Sequence, residues 1–363
     1  MQLKEKLILE VLLKILLLPF TLLYNIGVRF RNFLFDIGVR SSKSFSFPVI
    51  SIGNLSVGGT GKTPQAEYII KKLKDNYRLA VLSRGYGRAT KGFKIADSSD
   101  DAKSIGDEPY QIFTKFSDII VAVDEKRRRG IETLRKLPSP PNIILLDDAF
   151  QHRQVKAGLN ILLTDYSKLY INDLTLPSGR LREPRSAARR ADIIVITKSP
   201  TVLSPLEIRR ITSDLNSRDY QKVFFSYIDY QKLRPLNEAA KEIETTENKL
   251  SKHGVLLVSA IANPKPLLLH LKRYAKEIDS LNFMDHHYFK DGDYSKIKKR
   301  LENLLSPQKV VVITEKDAVK FDVSKLGDTP IFSMPISIKF HQHEEESFIN
   351  EIEKHVKSYT TKH

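Results

Sequence analysis

A run of glycines followed by a lysine and a threonine is the first feature of this sequence that could do chemistry. The run follows the apolar segment Val49–Ile52, and the residues from Pro64 onward have a helical pattern. This order of strand, loop and helix is typical of a phosphate-binding loop (P-loop), in which backbone N–H groups surround the phosphates of a nucleotide. We predict that the nucleotide is bound by Ser56, Val57, Gly58, Gly59, Thr60, Gly61, Lys62 and Thr63.

Two residues of this loop have distinct expected roles. Lys62 would reach the β- and γ-phosphates, and Thr63 would offer its hydroxyl to Mg²⁺. The full pattern has a glycine where this chain has Ser56. A glycine-rich turn that merely precedes Lys-Thr is the alternative, but the flanking strand and helix favour the P-loop.

Two consecutive aspartates, Asp147 and Asp148, follow the apolar segment Ile143–Leu146. In P-loop proteins, a loop hydroxyl and a carboxylate at the end of a strand hold the Mg²⁺ that accompanies the nucleotide. An aspartate at a strand end can instead be only a helix cap. Because the P-loop is present, we predict that Thr63, Asp147 and Asp148 bind Mg²⁺.

Three other polar segments are ambiguous by themselves. Asp107 precedes a helical run and would ordinarily be an N-cap. Arg182 belongs to an arginine-rich segment that is either a solvated surface or the part of a loop that faces the ligand. His286 and His287 follow Asp285, so they are either an oriented base or a structural pair, and we predict no zinc site there.

The apolar segments between Phe47 and Tyr230 predict a doubly wound α/β domain. They are rich in Ile, Val and Leu, which is typical of parallel strands covered on both faces, and helical patterns separate them. In such folds the ligand lies at the carboxyl ends of the strands. The expected strands are Val49–Ile52, Leu79–Leu82, Ile119–Val123, Ile143–Leu146, Ile161–Leu163, Ile193–Ile196 and Val223–Phe225.

A second, smaller α/β pattern follows the polar stretch Lys241–Lys252, with a strand expected near Leu281–Met284 and an extended segment at Ile331–Phe340. The predicted fold class is therefore α/β, a P-loop NTPase-like, mostly parallel sheet with a second α/β domain and an amino-terminal membrane-associated helix. The expected regions are an interfacial helix region (1–45), a P-loop domain (46–230), a smaller domain with linker strands (231–340) and a helix that packs back on the P-loop domain (341–363).

The amino-terminal residues 7–23 are the most apolar stretch of the chain. Glu10, Lys14 and Pro19 make a membrane-spanning helix unfavourable, and no small-residue cleavage site of a signal peptide follows. The arginines after this stretch suit anionic headgroups. We predict a helix that lies in the interface of an anionic membrane surface, with a buried packing helix as the main alternative.

The chain is strongly basic, with 59 Lys and Arg residues against 43 Asp and Glu residues and a net charge of +16. This balance favours an anionic partner, either a nucleic acid, an acidic lipid surface or a phosphorylated substrate. The sequence lacks an array of aromatic and basic residues that would stack single-stranded bases, so we predict no nucleic-acid partner. The absence of cysteine excludes disulfides and thiolate metal sites.

Taken together and in this order, the motifs resemble the tetraacyldisaccharide 4′-kinase family of lipid A biosynthesis. The resemblance spans about Leu7 to Lys320 and is carried by GN-x-x-x-GGTGKTP, LSRGYGR, GDEP, DDAFQH, LREP, DHH and TEKDAVK. It implies transfer of the γ-phosphoryl group of ATP to the 4′-hydroxyl of an acylated glucosamine disaccharide 1-phosphate, at the cytoplasmic face of the bacterial inner membrane. It also implies an active site in the cleft between two domains that a two-stranded linker joins.

The resemblance also implies roles for individual residues. Asp107 in GDEP matches the family's proposed base, and His286 in DHH matches the histidine that is paired with it. Within DDAFQH, Ala149 stands where the family more often has a glycine. We expect this difference to affect only the geometry of the loop. The implied catalytic residues are Asp107, His286, Lys62, Arg127 and Arg182.

A second hypothesis comes from another class of protein. Nucleotide-dependent partitioning and metal-carrier ATPases share the GGTGKT segment. They have a lysine just before the glycine pair, where this chain has Val57. A phosphorylated lipid product would distinguish the kinase from such an ATPase.

Overall fold

The computed structural model describes residues 2–243, 250–285, 287–341 and 344–360. In this part of the chain the strands are β1 (Val49–Asn54), β2 (Leu79–Ser83), β3 (Lys94–Ile95), β4 (Ile120–Val123), β5 (Ile143–Leu146), β6 (Leu159–Asp165), β7 (Ile193–Thr197), β8 (Lys222–Tyr230), β9 (Arg234–Pro235), β10 (His253–Ser259), β11 (Glu277–Asn282), β12 (Gln308–Thr314), β13 (Ile331–Met334) and β14 (Ile336–Phe340).

The helices of the same part are α1 (Gln2–Asp36), α2 (Lys62–Leu73), α3 (Ala102–Ile105), α4 (Asp107–Lys115), α5 (Arg127–Leu134), α6 (Pro205–Leu215), α7 (Glu238–Lys241), α8 (Lys265–Leu271), α9 (Asp291–Glu302), α10 (Glu315–Ala318) and α11 (Glu344–Thr360).

The larger sheet has the strand order β14-β8-β7-β6-β1-β5-β2-β4-β3. The strands from β8 to β4 pair in parallel, whereas β14 and β3 are antiparallel edge strands. Helices cover both faces, since Ile50 and Ile52 of β1 pack with α2 and α11, while Val49 packs on the opposite face with α5. The predicted doubly wound, mostly parallel α/β fold is confirmed.

The central position of β1 decides where the glycine-rich loop lies. β1 is buried along its whole length and pairs in parallel with β5 on one side and β6 on the other. Because the carboxyl ends of parallel strands meet at one edge of a sheet, the loop after β1 and the aspartates after β5 become neighbours.

The smaller sheet has the order β11-β10-β12-β13-β9, with only β9 antiparallel. The strand expected near Leu281–Met284 lies earlier, at Glu277–Asn282, and its residues are half-buried or exposed because it is an edge strand. The expected extended segment Ile331–Phe340 is two strands in different sheets, with Pro335 between them. Thus β14 belongs to the larger sheet, although the expected smaller domain extended to residue 340.

Helix α1 is longer than the apolar stretch that predicted it and continues past Pro19 to Asp36. Hydrogen bonds fix its second half to the larger domain, from the Tyr24 hydroxyl to the Arg182 carbonyl (2.9 Å) and from Arg31 to Glu183 (2.7 Å). Residues 12–36 are long and apolar enough to cross a membrane, with a mean hydropathy of 1.5, and only 6% of the most apolar window is buried. The alternative of a buried packing helix therefore does not fit.

Helix α11 completes the core beneath the larger sheet. Phe348, Ile352 and Val356 are buried, and Phe348 stacks on Phe340 of β14 with the ring centres 4.6 Å apart. The same cluster contains Ile50 and Ile52 of β1, so α11 and the central strand share one hydrophobic core.

A pair of glycine substitutions tests this close packing around β1. A Cβ atom at Gly53 would lie 2.7 Å from Cβ and 2.9 Å from the backbone nitrogen of Phe150, whereas one at Gly292 in α9 would have no neighbour within 4 Å. We expect Gly53→Ala to destabilise the protein by about 1 to 3 kcal/mol because the strand and Phe150 must separate. Gly292→Ala, the control, should be neutral or stabilising by about 0.5 to 1 kcal/mol. Thermal unfolding measures both, and equal melting temperatures for the two variants would contradict the described packing.

Candidate active site

The glycine-rich loop adopts backbone conformations that favour glycine. Gly58 and Gly61 have φ angles of 103° and 84°, and Gly61 immediately precedes α2. Lys62 is the first residue of that helix, so the unpaired N–H groups and the positive end of the helix dipole lie at the loop. Such a helix terminus suits phosphate groups.

Three hydrogen bonds hold the loop in place. Thr60 accepts one from the Asn54 amide (2.7 Å), and its carbonyl accepts one from the Thr197 hydroxyl at the end of β7 (2.8 Å). The backbone N–H of Val57 donates to the Arg180 carbonyl (2.7 Å). The loop is thus fixed by the strand that precedes it, by a neighbouring strand and by the arginine-rich segment.

The two aspartates after β5 lie beside the loop as expected. Lys62 Nζ is 3.8 Å from Asp148 Oδ2. Asp147 is only 4% exposed, and its Oδ1 atom has no hydrogen-bond partner among the described residues. A buried carboxylate oxygen without a partner is costly unless a cation or a donor satisfies it.

The two carboxyl groups have different electrostatic environments. Burial, followed by the charge of Asp148, raises the pKa of Asp147 to about 7. Burial also acts to raise the pKa of Asp148, but Lys62 and Arg182 outweigh it, so this pKa is lowered. Lys62 and Arg127 also act to lower the pKa of Asp147, but they do not offset its burial and the charge of Asp148.

Thr63, Asp147 and Asp148 fit a magnesium ion. Mg²⁺ is usually held by one or two carboxylates together with phosphate oxygens and waters, and not by an all-protein cage. Within the described residues, His, Asp and Glu form no group of three or more that could hold a metal ion. The Asp147 oxygen that lacks a hydrogen-bond partner among the described residues is of the type that a hard cation prefers.

Arg182 joins the acidic pair to the end of β1. Its guanidinium donates to Asp148 Oδ1 (2.7 Å) and Oδ2 (3.2 Å), and also to the side-chain oxygen of Asn54. Its backbone N–H donates to the Leu55 carbonyl (2.6 Å). Of the two interpretations of the arginine-rich segment, the position of Arg182 beside the loop supports contact with a ligand.

Arg127 is the first residue of α5 and is only 2% exposed. One of its terminal nitrogens donates to the Asp124 carbonyl (2.6 Å), but Nε and Nη2 have no partner in the described part of the chain. Burial lowers its pKa to about 10, so the side chain remains charged at neutral pH. A buried guanidinium with two unused nitrogens is suited to an anionic ligand.

Asp107 is not the N-cap that its position in the sequence suggested. It is the first residue of α4, and the cap position is taken by Gly106 without a side-chain hydrogen bond. The Asp107 carboxylate instead contacts the smaller domain, with Oδ2 2.8 Å from Lys320 Nζ and Oδ1 3.1 Å from the Tyr288 hydroxyl. Sequence reasoning missed both partners.

His286 lies outside the described residues, so its predicted pairing with Asp107 stays a prediction. Its neighbour His287 has a structural role, since Nε2 is 2.8 Å from Asp293 Oδ2 and the ring stacks on Phe283 with the centres 4.7 Å apart. Asp285 accepts a hydrogen bond from Lys316 (3.1 Å).

The missed residues lie in or beside three motifs of the sequence. Lys320 ends the TEKDAVK segment, and Tyr288 immediately follows DHH. Asn54, which holds both Thr60 and Arg182, is the asparagine of the GN motif before the loop. None of these contacts follows from spacing alone, because each depends on how separate elements are packed.

Comparison with known proteins gives consistent matches. The family model described as LpxK, tetraacyldisaccharide-1-P 4′-kinase, matches residues 13–357. The tetraacyldisaccharide 4′-kinase of Parabacteroides distasonis is 47% identical over 359 residues, which cover 96% of each chain. That of Flavobacterium johnsoniae is 44% identical over 334 residues, covering 92% of this chain and 95% of the relative.

A solved structure is similar over nearly the whole chain. It is the crystal structure of the "apo" form of LpxK from Aquifex aeolicus in complex with ATP, with a TM-score of 0.69 and 31% sequence identity. The similarity covers 94% of this chain and 99% of that one.

Replacing the two aspartates with asparagine should have opposite effects on stability. Because the pKa of Asp147 is raised from 3.8 to about 7, ionising it in the folded protein costs free energy. In protein without metal or nucleotide, Asp147→Asn should raise the free energy of unfolding, with a gain that grows between pH 4 and pH 7 and reaches on the order of 2 to 4 kcal/mol above pH 7.

Asp148→Asn is the matched control. The pKa of Asp148 is lowered in the folded protein, so its ionised carboxylate stabilises the fold above the unfolded pKa of 3.8, and this stabilisation is lost in acid. This variant should therefore be less stable than wild type at neutral pH. Urea unfolding at pH 5 and pH 8 in the presence of a chelator measures both variants. A stabilisation by Asp147→Asn that is the same at the two pH values would contradict the raised pKa.

Proposed function

Because this chain belongs to the tetraacyldisaccharide-1-P 4′-kinase family, we infer that it transfers the γ-phosphoryl group of ATP to the 4′-hydroxyl of a tetraacyldisaccharide 1-phosphate in lipid A biosynthesis. The family model and the relatives cover almost the whole chain, so the inference applies to both domains. No observation favours the partitioning or metal-carrier ATPase, the alternative from the sequence.

The observation that carries the proposal is the convergence of Lys62, Asp148 and Arg182 beside the glycine-rich loop. A loop that binds phosphates needs a carboxylate nearby for the metal ion and cations for the charge of the transferring group. The chain supplies these groups from the first residue of α2, from the turn after β5 and from the segment that contains Arg182.

We assign the binding of the ATP phosphates to residues 56–63. Lys62 would stabilise negative charge on the β- and γ-phosphate oxygens, and Arg127 would offer its two unused nitrogens to the transferring group. Arg182 would hold Asp148 in place through its paired hydrogen bonds and would add positive charge at the same edge.

We assign the binding of Mg²⁺ to Thr63, Asp147 and Asp148. When bound, Mg²⁺ neutralises charge on the phosphate oxygens. The protein's own contribution is to hold the two carboxylates beside the loop and to bury Asp147 with an oxygen that has no hydrogen-bond partner among the described residues.

We assign the base to Asp107, together with His286. The oxygen of the 4′-hydroxyl would attack the γ-phosphorus, the bond from that phosphorus to the bridging oxygen of ADP would break, and the hydroxyl proton would pass to Asp107. The contacts of Asp107 with Lys320 and Tyr288 support a site in the cleft between the domains, to which both contribute.

We propose that α1 holds the enzyme on the cytoplasmic face of the bacterial inner membrane, where ATP and an acylated substrate meet. The exposed side chains of α1 include a series of large apolar residues, among them Leu16, Leu23 and Phe30, which are seven positions apart and so share one face. The basic residues of the chain would add attraction to anionic lipids. The regions 46–230 and 231–335 would then serve as the kinase domain and the smaller domain, with β14 belonging to the sheet of the kinase domain.

The assay that tests the function is the formation of a bisphosphate from ATP, Mg²⁺ and tetraacyldisaccharide 1-phosphate, followed by mass spectrometry. Lys62→Ala should lower kcat by about 10²-fold or more while leaving the fold intact, because Lys62 contacts charge and is not part of a core. Lys72→Ala is the matched control on the same helix, since Lys72 pairs with Glu345 (2.6 Å), away from the loop. Wild-type turnover by a folded Lys62→Ala enzyme would contradict the assignment of the loop, and ATP hydrolysis without a lipid product would support the ATPase instead.

Two variants with the same change in charge test the role of α1. Leu16 and Leu23 are 70% and 66% exposed, and Leu269 and Leu305 in the smaller domain are 52% and 92% exposed. The double change of Leu16 and Leu23 to Asp should weaken binding to anionic vesicles by about 10²-fold, because each buried leucine contributes about 1.5 to 3 kcal/mol. The double change of Leu269 and Leu305 to Asp should leave it unchanged. Equal sedimentation of the two variants with vesicles would exclude α1 as the membrane contact.

A further inference from the structure

We propose that Lys320 is a positioning residue for catalysis, which holds Asp107 through an ion pair to Oδ2 and directs its Oδ1 atom toward the acceptor hydroxyl. The inference rests on the proposed function, in which Asp107 receives the proton of that hydroxyl. Lys320 belongs to the smaller domain and Asp107 to the larger one, so the base would be in place only when the two domains are in contact.

The contact between the two side chains is close and excluded from water. Lys320 Nζ lies 2.8 Å from Asp107 Oδ2, and the side chains are 1% and 5% exposed. The ammonium group also lies 5.1 Å from the centre of the Tyr288 ring. An exposed ion pair between a lysine and an aspartate would contribute little to stability. This ion pair is shielded from solvent on both sides, so its charges interact strongly.

The smaller domain holds Lys320 rigidly. Its backbone N–H donates to the Asp317 carbonyl (3.0 Å). The Asp317 carboxylate is buried and accepts hydrogen bonds from the Thr314 hydroxyl (2.6 Å) and the Ala260 N–H (2.9 Å). Phe321, the next residue, is buried in the core of the smaller domain. The turn after β12 therefore presents the lysine at a fixed point of the domain surface.

An adjacent ammonium group favours the charged form of a carboxylate, which is the form that can accept a proton. Lys320 contacts Oδ2, while the Tyr288 hydroxyl donates to Oδ1. A sugar hydroxyl would approach a general base in the same way as this phenol does, with its O–H directed at a carboxylate oxygen. The geometry thus assigns Asp107 Oδ1 as the oxygen that receives the proton and Asp107 Oδ2 as the oxygen that Lys320 holds in place.

Other charged groups lie at the same domain boundary and are not equivalent to Lys320. Lys316 pairs with Glu108 (3.5 Å) and Asp285 (3.1 Å), and Lys115 joins Glu67 (2.8 Å) to Glu315 (3.0 Å). In the described contacts these lysines pair with other carboxylates across the boundary, whereas Lys320 is hydrogen-bonded to Asp107 itself. A purely structural role for Lys320 would place it in the same group as Lys316 and Lys115.

A double-mutant cycle with the full-length enzyme separates the two roles. Lys320→Met should lower kcat for the lipid by about 10- to 100-fold, because the base is no longer held in line, while KM for ATP changes by less than about twofold. Lys320→Arg should lie between wild type and Lys320→Met, because it restores the charge but not the geometry. In an Asp107→Ala background, Lys320→Met should have no further effect on kcat, since residues that act as one unit are non-additive.

The control is Lys325→Met, which removes a lysine from the same domain whose ion pair with Asp291 (3.0 Å) is largely exposed. It should leave kcat and both KM values unchanged. If Lys320→Met does not fold, Lys320→Gln is the second variant, because glutamine is polar but carries no charge and is one bond too short to keep the 2.8 Å contact with Asp107, so the same loss of kcat is expected.

Two results would overturn the proposal. One is a folded Lys320→Met or Lys320→Gln enzyme with the kcat of wild type. The other is a loss that multiplies with that of Asp107→Ala, because Lys320 would then act on the substrate and not through Asp107. A wild-type enzyme that forms no bisphosphate would instead refute the proposed function, and this is seen before any variant is compared.

Discussion

The Asp148 carboxylate lies between two cations, Lys62 and Arg182, and the rest of the site depends on this arrangement. Two adjacent aspartates in a buried place repel each other, so one of them must have positive partners if both are to be kept at the loop. The strand order supplies those partners, because β1 brings Lys62 and the segment paired with its end brings Arg182. The remaining aspartate, Asp147, is buried with an oxygen that has no hydrogen-bond partner among the described residues.

Local patterns predicted most of the larger sheet. The strand Ile143–Leu146 has the expected bounds, because four consecutive apolar residues between polar ones leave little choice. β11 was misplaced because it is an edge strand with the polar sequence Glu-Ile-Asp-Ser-Leu-Asn, which lacks the apolar character of a buried strand. The break at Pro335 was missed because both strands beside it are apolar, and only their hydrogen-bond partners show that they belong to different sheets.

The candidate site was predictable where it follows strands of one parallel sheet. Lys62 and Asp148 each lie just after a central strand, so the order of the fold brings them together. The partners of Asp107 were not predictable in this way, because Lys320 and Tyr288 are 213 and 181 positions away in another domain. Which lysine of a basic chain reaches a given carboxylate depends on how the domains dock, and no periodicity encodes that.

The placement of α11 has a consequence for how the chain is made. Phe348, Ile352 and Val356 share the core of β1, although the whole smaller domain is synthesised between them. At about 5 to 20 residues per second, the ribosome needs several seconds to pass through the smaller domain before those side chains leave it. The nucleotide-binding core, which is begun first, is therefore completed last, and the part of its apolar face that α11 covers must remain exposed while the inserted domain is translated.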